Sequence, residues 1–357
     1  MAFKTLNLGL NIFIGVVFTI SGIVKANDIV GFSQKIEEYL LLFSFQFSKS
    51  FLILLPYKLF IAIFITVLEY LLGIALLFYF CYSSTLKILI LITIFFLLLT
   101  FYTAISKKMN CCGCFANMLY LTPWQSVLKN IIILIVLSLL YHQKKHLELN
   151  NNQMAGYMIA FSCILVLGII SYTIHYLPIV DLTSFRIGKN LASLTKYKPT
   201  NYTYTFRKNG KVIKSDKYPD GNGIEFLDVK IKDLSNNKPF RIWLEKTDCS
   251  KSILVGLKLL VIVNDPEHFI DKEIALTLHQ IQTRLSKKTE QIFLCDINRV
   301  NELSDVIGMK FYCADKTLLR EVIRAKVGFV LLKDGVVKAK WNYNSLANML
   351  EKMTDFD

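Results

Sequence analysis

The first 180 residues carry apolar stretches too long for the core of a small soluble domain. A hydrocarbon core about 30 Å thick takes roughly 20 apolar residues as helix. Thr5–Val24 has no formal charge, and Leu59–Leu86 has one, Glu69. Ile88–Ser106 is uncharged, and Val127–Gln143 keeps Lys129 near one end, from where its amine can snorkel toward water. Met154–Leu177 is again uncharged. Unpaired backbone amides are not tolerated in lipid, so these stretches predict membrane-spanning helices. Tyr39–Leu55 is apolar but broken by Gln46 and Lys49, which predicts helix lying in the interface rather than a further span.

Beyond Pro178 the pattern changes. The chain is polar and rich in turn formers to about Ser250, with a hairpin signal in Tyr202–Phe206, Asn209-Gly210 and Lys211–Lys214. From Ile253 short strands and helices alternate. Leu257–Val263, Gln291–Cys295, Lys310–Cys313, Gly328–Leu332 and Val336–Trp341 read as strands. Phe269–Leu285, Val300–Ile307, Leu318–Ala325 and Ser345–Met353 read as helices, and Asp334-Gly335 marks a second hairpin. The expected organisation is a multi-pass α-helical membrane bundle of four to five helices over 1–177. A polar β-rich connector over 178–252 and an α/β domain with a mixed sheet over 253–357 follow.

Charge divides along the same line. Residues 1–180 contain 11 Lys, no Arg and 5 acids, whereas 181–357 contain 30 basic and 22 acidic residues. This excludes a wholly soluble enzyme and a disordered chain. The net charge of +14 is mixed in sign along the tail, so it reads as a solvated surface favoured near anionic lipid, not as a nucleic-acid site. The loop after the third span and the tail after the fifth are separated by two crossings and therefore share one face of the membrane.

Two groups of residues carry candidate chemistry. Cys111, Cys112 and Cys114 place three thiols in four positions, just after Lys107 and Lys108, whose charge favours thiolate. Cys112-Gly113-Cys114 can close a small, oxidising ring, and Cys111-x-x-Cys114 is the alternative pairing. A static disulfide and a soft-metal site are the competing readings. Glu69 is the lone acid within a predicted span, and Lys25 at the end of the first span is its partner by type. A charge at mid-membrane costs roughly 2.5–3.5 kcal/mol on insertion scales, so such a group faces a partner or a cavity. The pair reads either as a polar site for protons or a quinone, or as an ion pair fixing helix register. Cys81 and Cys163 fall within predicted spans, and Cys295 and Cys313 end predicted strands, as core thiols do.

Ser21-Gly22-Ile23-Val24-Lys25, Glu69-Tyr70-Leu71-Leu72-Gly73, and Cys112-Gly113-Cys114-Phe115 with Leu121-Thr122-Pro123-Trp124-Gln125 resemble the DoxX family and its MauE-like relatives. Ala116 stands where that pattern commonly has Gly. The resemblance implies a bacterial inner-membrane protein concerned with disulfide formation or maturation of periplasmic proteins, and through DoxX a link to quinone. Phe311-Tyr312-Cys313-Ala314-Asp315, Leu318-Leu319 and Gly328–Gly335 resemble the TlpA-like and peroxiredoxin-like branch of the thioredoxin family. That family has C-x-x-C after its first core strand, where this chain reads Asn264-Asp265-Pro266-Glu267-His268, and a proline before the penultimate strand, where it reads Lys326-Val327-Gly328. The resemblance therefore implies a thioredoxin-like tail, on the periplasmic face, that docks a protein client or complex partner without redox chemistry of its own. A non-catalytic scaffold in envelope assembly is the alternative.

Overall fold

The computed structural model describes residues 2–106, 121–143, 153–196, 202–208, 211–215, 224–231, 240–244, 247–264, 289–296 and 311–353. The cysteines at 111–114 and the helices expected over 269–285 and 300–307 lie outside the described residues. The chain divides into two compact units, Met1–Ile170 with Thr200–Asn236, and Ser171–Pro199 with Asn237–Asp357.

The first unit contains α1 (Ala2–Asn27), α2 (Ile29–Gln46), α3 (Lys58–Leu77), α4 (Tyr82–Ser106), α5 (Pro123–His142) and α6 (Gln153–His175), the last continuing into the second unit. Among the described residues five segments are long and apolar enough to cross a membrane: Leu6–Asn27, Lys49–Leu77, Tyr82–Ser106, Pro123–His142 and Gln153–His175. Two starts have a local cause. The Asp28 carboxylate accepts the Gly31 amide at 3.0 Å and caps α2. Thr122 and Gln125 form a reciprocal capping box before α5, with Pro123 in its first turn.

One expectation needs correction here. The apolar run Leu59–Leu86 is not one helix. It breaks between Leu77 and Tyr82, where Tyr79 (φ 56°) and Cys81 (φ 42°) adopt left-handed backbone, so Tyr82–Leu86 belong to α4. Cys81 is consequently an exposed turn residue, not a span residue. Tyr39–Leu55 is the end of α2 followed by a 3₁₀ segment, Lys49–Tyr57, with no buried residue. Apolarity alone could locate neither break.

The bundle packs around Ile14, Phe18, Leu72, Leu76, Leu86, Leu89, Leu137 and Leu140. Two threonines within the spans are satisfied locally: the Thr93 and Thr100 hydroxyls donate to the carbonyls of Leu89 and Phe96 at 2.7 and 2.8 Å. Large apolar residues such as Phe60, Phe64, Leu91, Leu98 and Leu128 point outward, as lipid-facing positions require. A separate three-stranded antiparallel sheet, ordered β2-β1-β3, consists of β1 (Tyr202–Lys208), β2 (Lys211–Ser215) and β3 (Ile224–Ile231). Its Lys208–Lys211 register is that of a two-residue hairpin.

The second unit is built on a mixed sheet ordered β10-β9-β6-β7-β8-β4-β5. Its strands are β4 (Ile242–Leu244), β5 (Thr247–Asp248), β6 (Leu257–Val263), β7 (Glu290–Asp296), β8 (Phe311–Ala314), β9 (Val327–Lys333) and β10 (Val336–Asn342). Strands β6, β7 and β8 run parallel, and β9 and β10 are antiparallel to their neighbours. Both faces are buried, so the central strands read as continuous apolar runs. Leu260, Ile262, Leu294 and Val330 face α7 (Lys316–Val322), while Val261, Phe293, Phe329 and Leu331 face α8 (Leu346–Met353). Asp334 (φ 50°) and Gly335 (φ 76°) make the tight β9–β10 turn that their sequence predicts.

Candidate functional site

The approach of α1 to α3 sets the site. Neither helix could come so close with ordinary side chains at three glycines. A Cβ on Gly22 would lie 2.6 Å from Tyr70 Cβ, one on Gly73 would lie 2.6 Å from the Thr19 amide nitrogen, and one on Gly15 would lie 2.7 Å from the Leu77 side chain. Small residues allow helix backbones in lipid to gain dispersion contact in this way. The Asn11 amide, fully buried, donates to the Leu76 carbonyl at 3.0 Å across the same interface.

This contact brings Lys25 and Glu69 together. Lys25 Nζ is bonded to Glu69 Oε2, with 2% and 4% of the side chains exposed. Ser21, one turn before Lys25, donates its hydroxyl to the same oxygen at 3.3 Å. The ammonium also lies 5.2 Å from the Phe32 ring centre on α2 and 5.3 Å from that of Phe96 on α4. Ring faces are electronegative, so both stabilise the buried cation. The residues of Ser21-Gly22-Ile23-Val24-Lys25 and Glu69–Gly73 thus form one constellation. Ser21 and Lys25 both donate to Glu69, and Gly22 and Gly73 permit the approach.

Beside the pair is a cavity of about 30 Å³, lined by Ser21, Lys25, Glu69, Thr93, Lys129 and Asn130 among others. A cavity of this size and polarity has room for a water or two. It does not fit a quinone ring. Asn130 donates to Thr100 Oγ1 at 3.2 Å, joining α5 to α4. The sequence placed Lys129 at a span end as a snorkelling residue, and it did not single out Asn130. Lys129 is half-buried and lines the cavity. The available signal was the Ser126–Asn130 spacing, two polar residues one turn apart inside an apolar span. Glu37, buried on α2 and bonded to Lys58 at 2.5 Å, was also missed.

Two thiols of the second unit, Cys295 and Cys313, offer poor nucleophiles. Cys295 and Cys313 are opposite one another on β7 and β8, and both are buried and free. Burial, reinforced by Cys313 and Asp296, pushes the Cys295 thiol up to about 12, and burial also raises Cys313. Among the described residues no His, Cys, Asp and Glu cluster has the makings of a metal site.

The family model described as methylamine utilisation protein MauE matches residues 4–142. No curated protein and no solved structure matches the chain. The matched segment contains α1 to α5, the whole lining of the intramembrane cavity and the cysteines at 111–114. The chain is thus a multi-helix membrane protein, similar over that segment to a family named for methylamine utilisation.

Proposed function

We propose that the protein matures envelope proteins by thiol–disulfide exchange at Cys111, Cys112 and Cys114, in a bacterial inner membrane with its tail on the periplasmic face. One observation carries this reading. The residues of two separate sequence motifs converge on a single buried charged site, inside the MauE-matching segment that also holds the three thiols. In the exchange, a client thiolate attacks one sulfur of a loop disulfide and breaks the S–S bond. The displaced loop sulfur takes up a proton. The client's second thiolate then displaces the remaining loop sulfur, which is protonated in turn. Two electrons pass from client to loop, leaving a client disulfide and a reduced loop. In this reading Glu69, Lys25 and the cavity beside them hold and pass protons within the membrane.

The tail is assigned to client docking. The order β10-β9-β6-β7, with β6 parallel to β7 and antiparallel to β9, supports the thioredoxin-like reading. The buried, high-pKa thiols of Cys295 and Cys313 favour docking without redox chemistry there. They equally favour the second reading, a membrane-anchored scaffold for envelope complex assembly. Thiol trapping of the full chain in intact cells separates the two. Cys112→Ser or Cys114→Ser is expected to accumulate or abolish a mixed disulfide with a client. Loop variants indistinguishable from wild type would leave the scaffold.

A further inference from the structure

The second unit contains a cleft of about 430 Å³ that the exchange reading does not use. That volume lies within the range of small-molecule sites, which combine apolar walls with a few convergent polar groups. Leu177, Ile179, Val180, Ile187, Val322 and Ile323 supply the apolar wall. Arg186, Arg324 and Lys340 face the cleft against two acids, Asp181 and Glu321. Lys340 and Asp181 are bonded to each other at 2.7 Å. Arg324 is only 8% exposed, whereas Arg186 is exposed and has no ion pair among the described residues. The balance of charge therefore favours an anion, and an exposed guanidinium suits the two-pronged geometry of phosphate.

The cleft is tied to the end of the last membrane helix. Asn344 donates to the carbonyl of His175, the final residue of α6, at 2.7 Å. Ile179 follows that residue by four positions, so an extended chain keeps it within about 14 Å of the helix end. Ile179, Val180 and Ile187 are 62%, 56% and 57% exposed and form an apolar rim. We propose that this cleft binds an anionic phospholipid of the adjoining leaflet, its phosphate at Arg186 and Arg324 and the start of its acyl chains across Ile179, Val180 and Ile187. Anionic head groups are drawn to basic pockets next to membrane spans. The inference is independent of the cysteine chemistry.

The test uses the full chain in phosphatidylcholine nanodiscs carrying a trace of diazirine-labelled lipid. Photolabelled phosphatidylglycerol is expected to modify peptides covering 177–187 and 321–324, and equally labelled phosphatidylcholine to leave them unmodified. Losing an exposed charge contact is expected to weaken binding by about fivefold, so Arg186→Gln should lower the adduct by that factor. Near-ultraviolet circular dichroism of the variant checks that the fold is retained. Equal labelling by both lipids, or an Arg186→Gln adduct equal to wild type, would overturn the proposal. Labelling by a free diazirine fatty acid but not by phosphatidylglycerol would overturn the membrane source.

Discussion

Each unit holds a lysine–carboxylate pair, and the two pairs are built differently. Lys25–Glu69 joins α1 to α3 with both side chains almost fully enclosed, and its surroundings are a serine, two aromatic rings and a cavity. Lys340–Asp181 joins β10 to the segment after α6, and Asp181 retains 23% exposure. Asp181 also accepts the Thr183 amide at 2.9 Å. A mostly enclosed pair cannot dissipate a lost partner into solvent, whereas a pair at the edge of an open cleft can. The first arrangement is costly to disturb and the second is a latch.

The largest effect is expected from breaking the enclosed pair on one side. Lys25→Met leaves Glu69 charged and uncompensated, and removing one partner of a buried pair costs about 3–5 kcal/mol. A fall in the thermal midpoint in detergent reads this. Lys25→Met with Glu69→Leu should recover most of it, because replacing both charges by apolar groups is often neutral. If the double variant is as unstable as the single, the site depends on more than the ion pair.

Next come the glycines. Gly22→Val must push Tyr70 aside, and overpacking of this kind costs about 1–3 kcal/mol. Gly9, which has no neighbouring atom to meet, is the control, and Gly9→Ala should leave the midpoint unchanged or raise it. Similar losses at both positions would argue against the close approach of α1 and α3.

The latch should yield less. Asp181→Asn is expected to cost about 1 kcal/mol in unfolding of the tail, since the partly exposed carboxylate is screened. Burial raises the Asp181 carboxyl, but Lys340 and Thr183 more than offset this and hold it below the ordinary carboxylate range. A depressed folded-state pKa contributes stability that is present above the unfolded value and lost as pH falls through the folded one. The difference between wild type and Asp181→Asn should therefore hold near neutrality and shrink in acid, where Asp181 gains its proton, and again in alkali, where burial makes Lys340 give up its own early. A difference that stays unchanged in acid would contradict this assignment. Smallest of all is the expected effect of Cys313→Ala on client exchange, which should be nil because that thiol is buried and raised.

The two regions were unequally legible. Span number and the central strands follow from hydrophobic length and apolar runs, and Asp334-Gly335 specifies its own turn. The break at Phe78–Cys81 was invisible because the turn is made of apolar residues with strained backbone, not of Gly or Pro. Strands β4 and β5 lie within a polar stretch and are short, so neither alternation nor length reveals them. Lys25 and Glu69 stood out because charge in a span is expensive, whereas Lys129 looked like a residue at a helix end. The glycines between them carried the packing information, but only the fitted helices reveal which neighbour each one admits.

The central claim is that exchange at the cysteine loop depends on the charged site within the bundle. The direct measurement is the client exchange rate per folded molecule in the Lys25→Met, Glu69→Leu double variant, with folded protein counted from the detergent melt. The account expects a wild-type-like midpoint with exchange lost. A well-folded double variant that exchanges at the wild-type rate would contradict it and leave the pair a structural element alone.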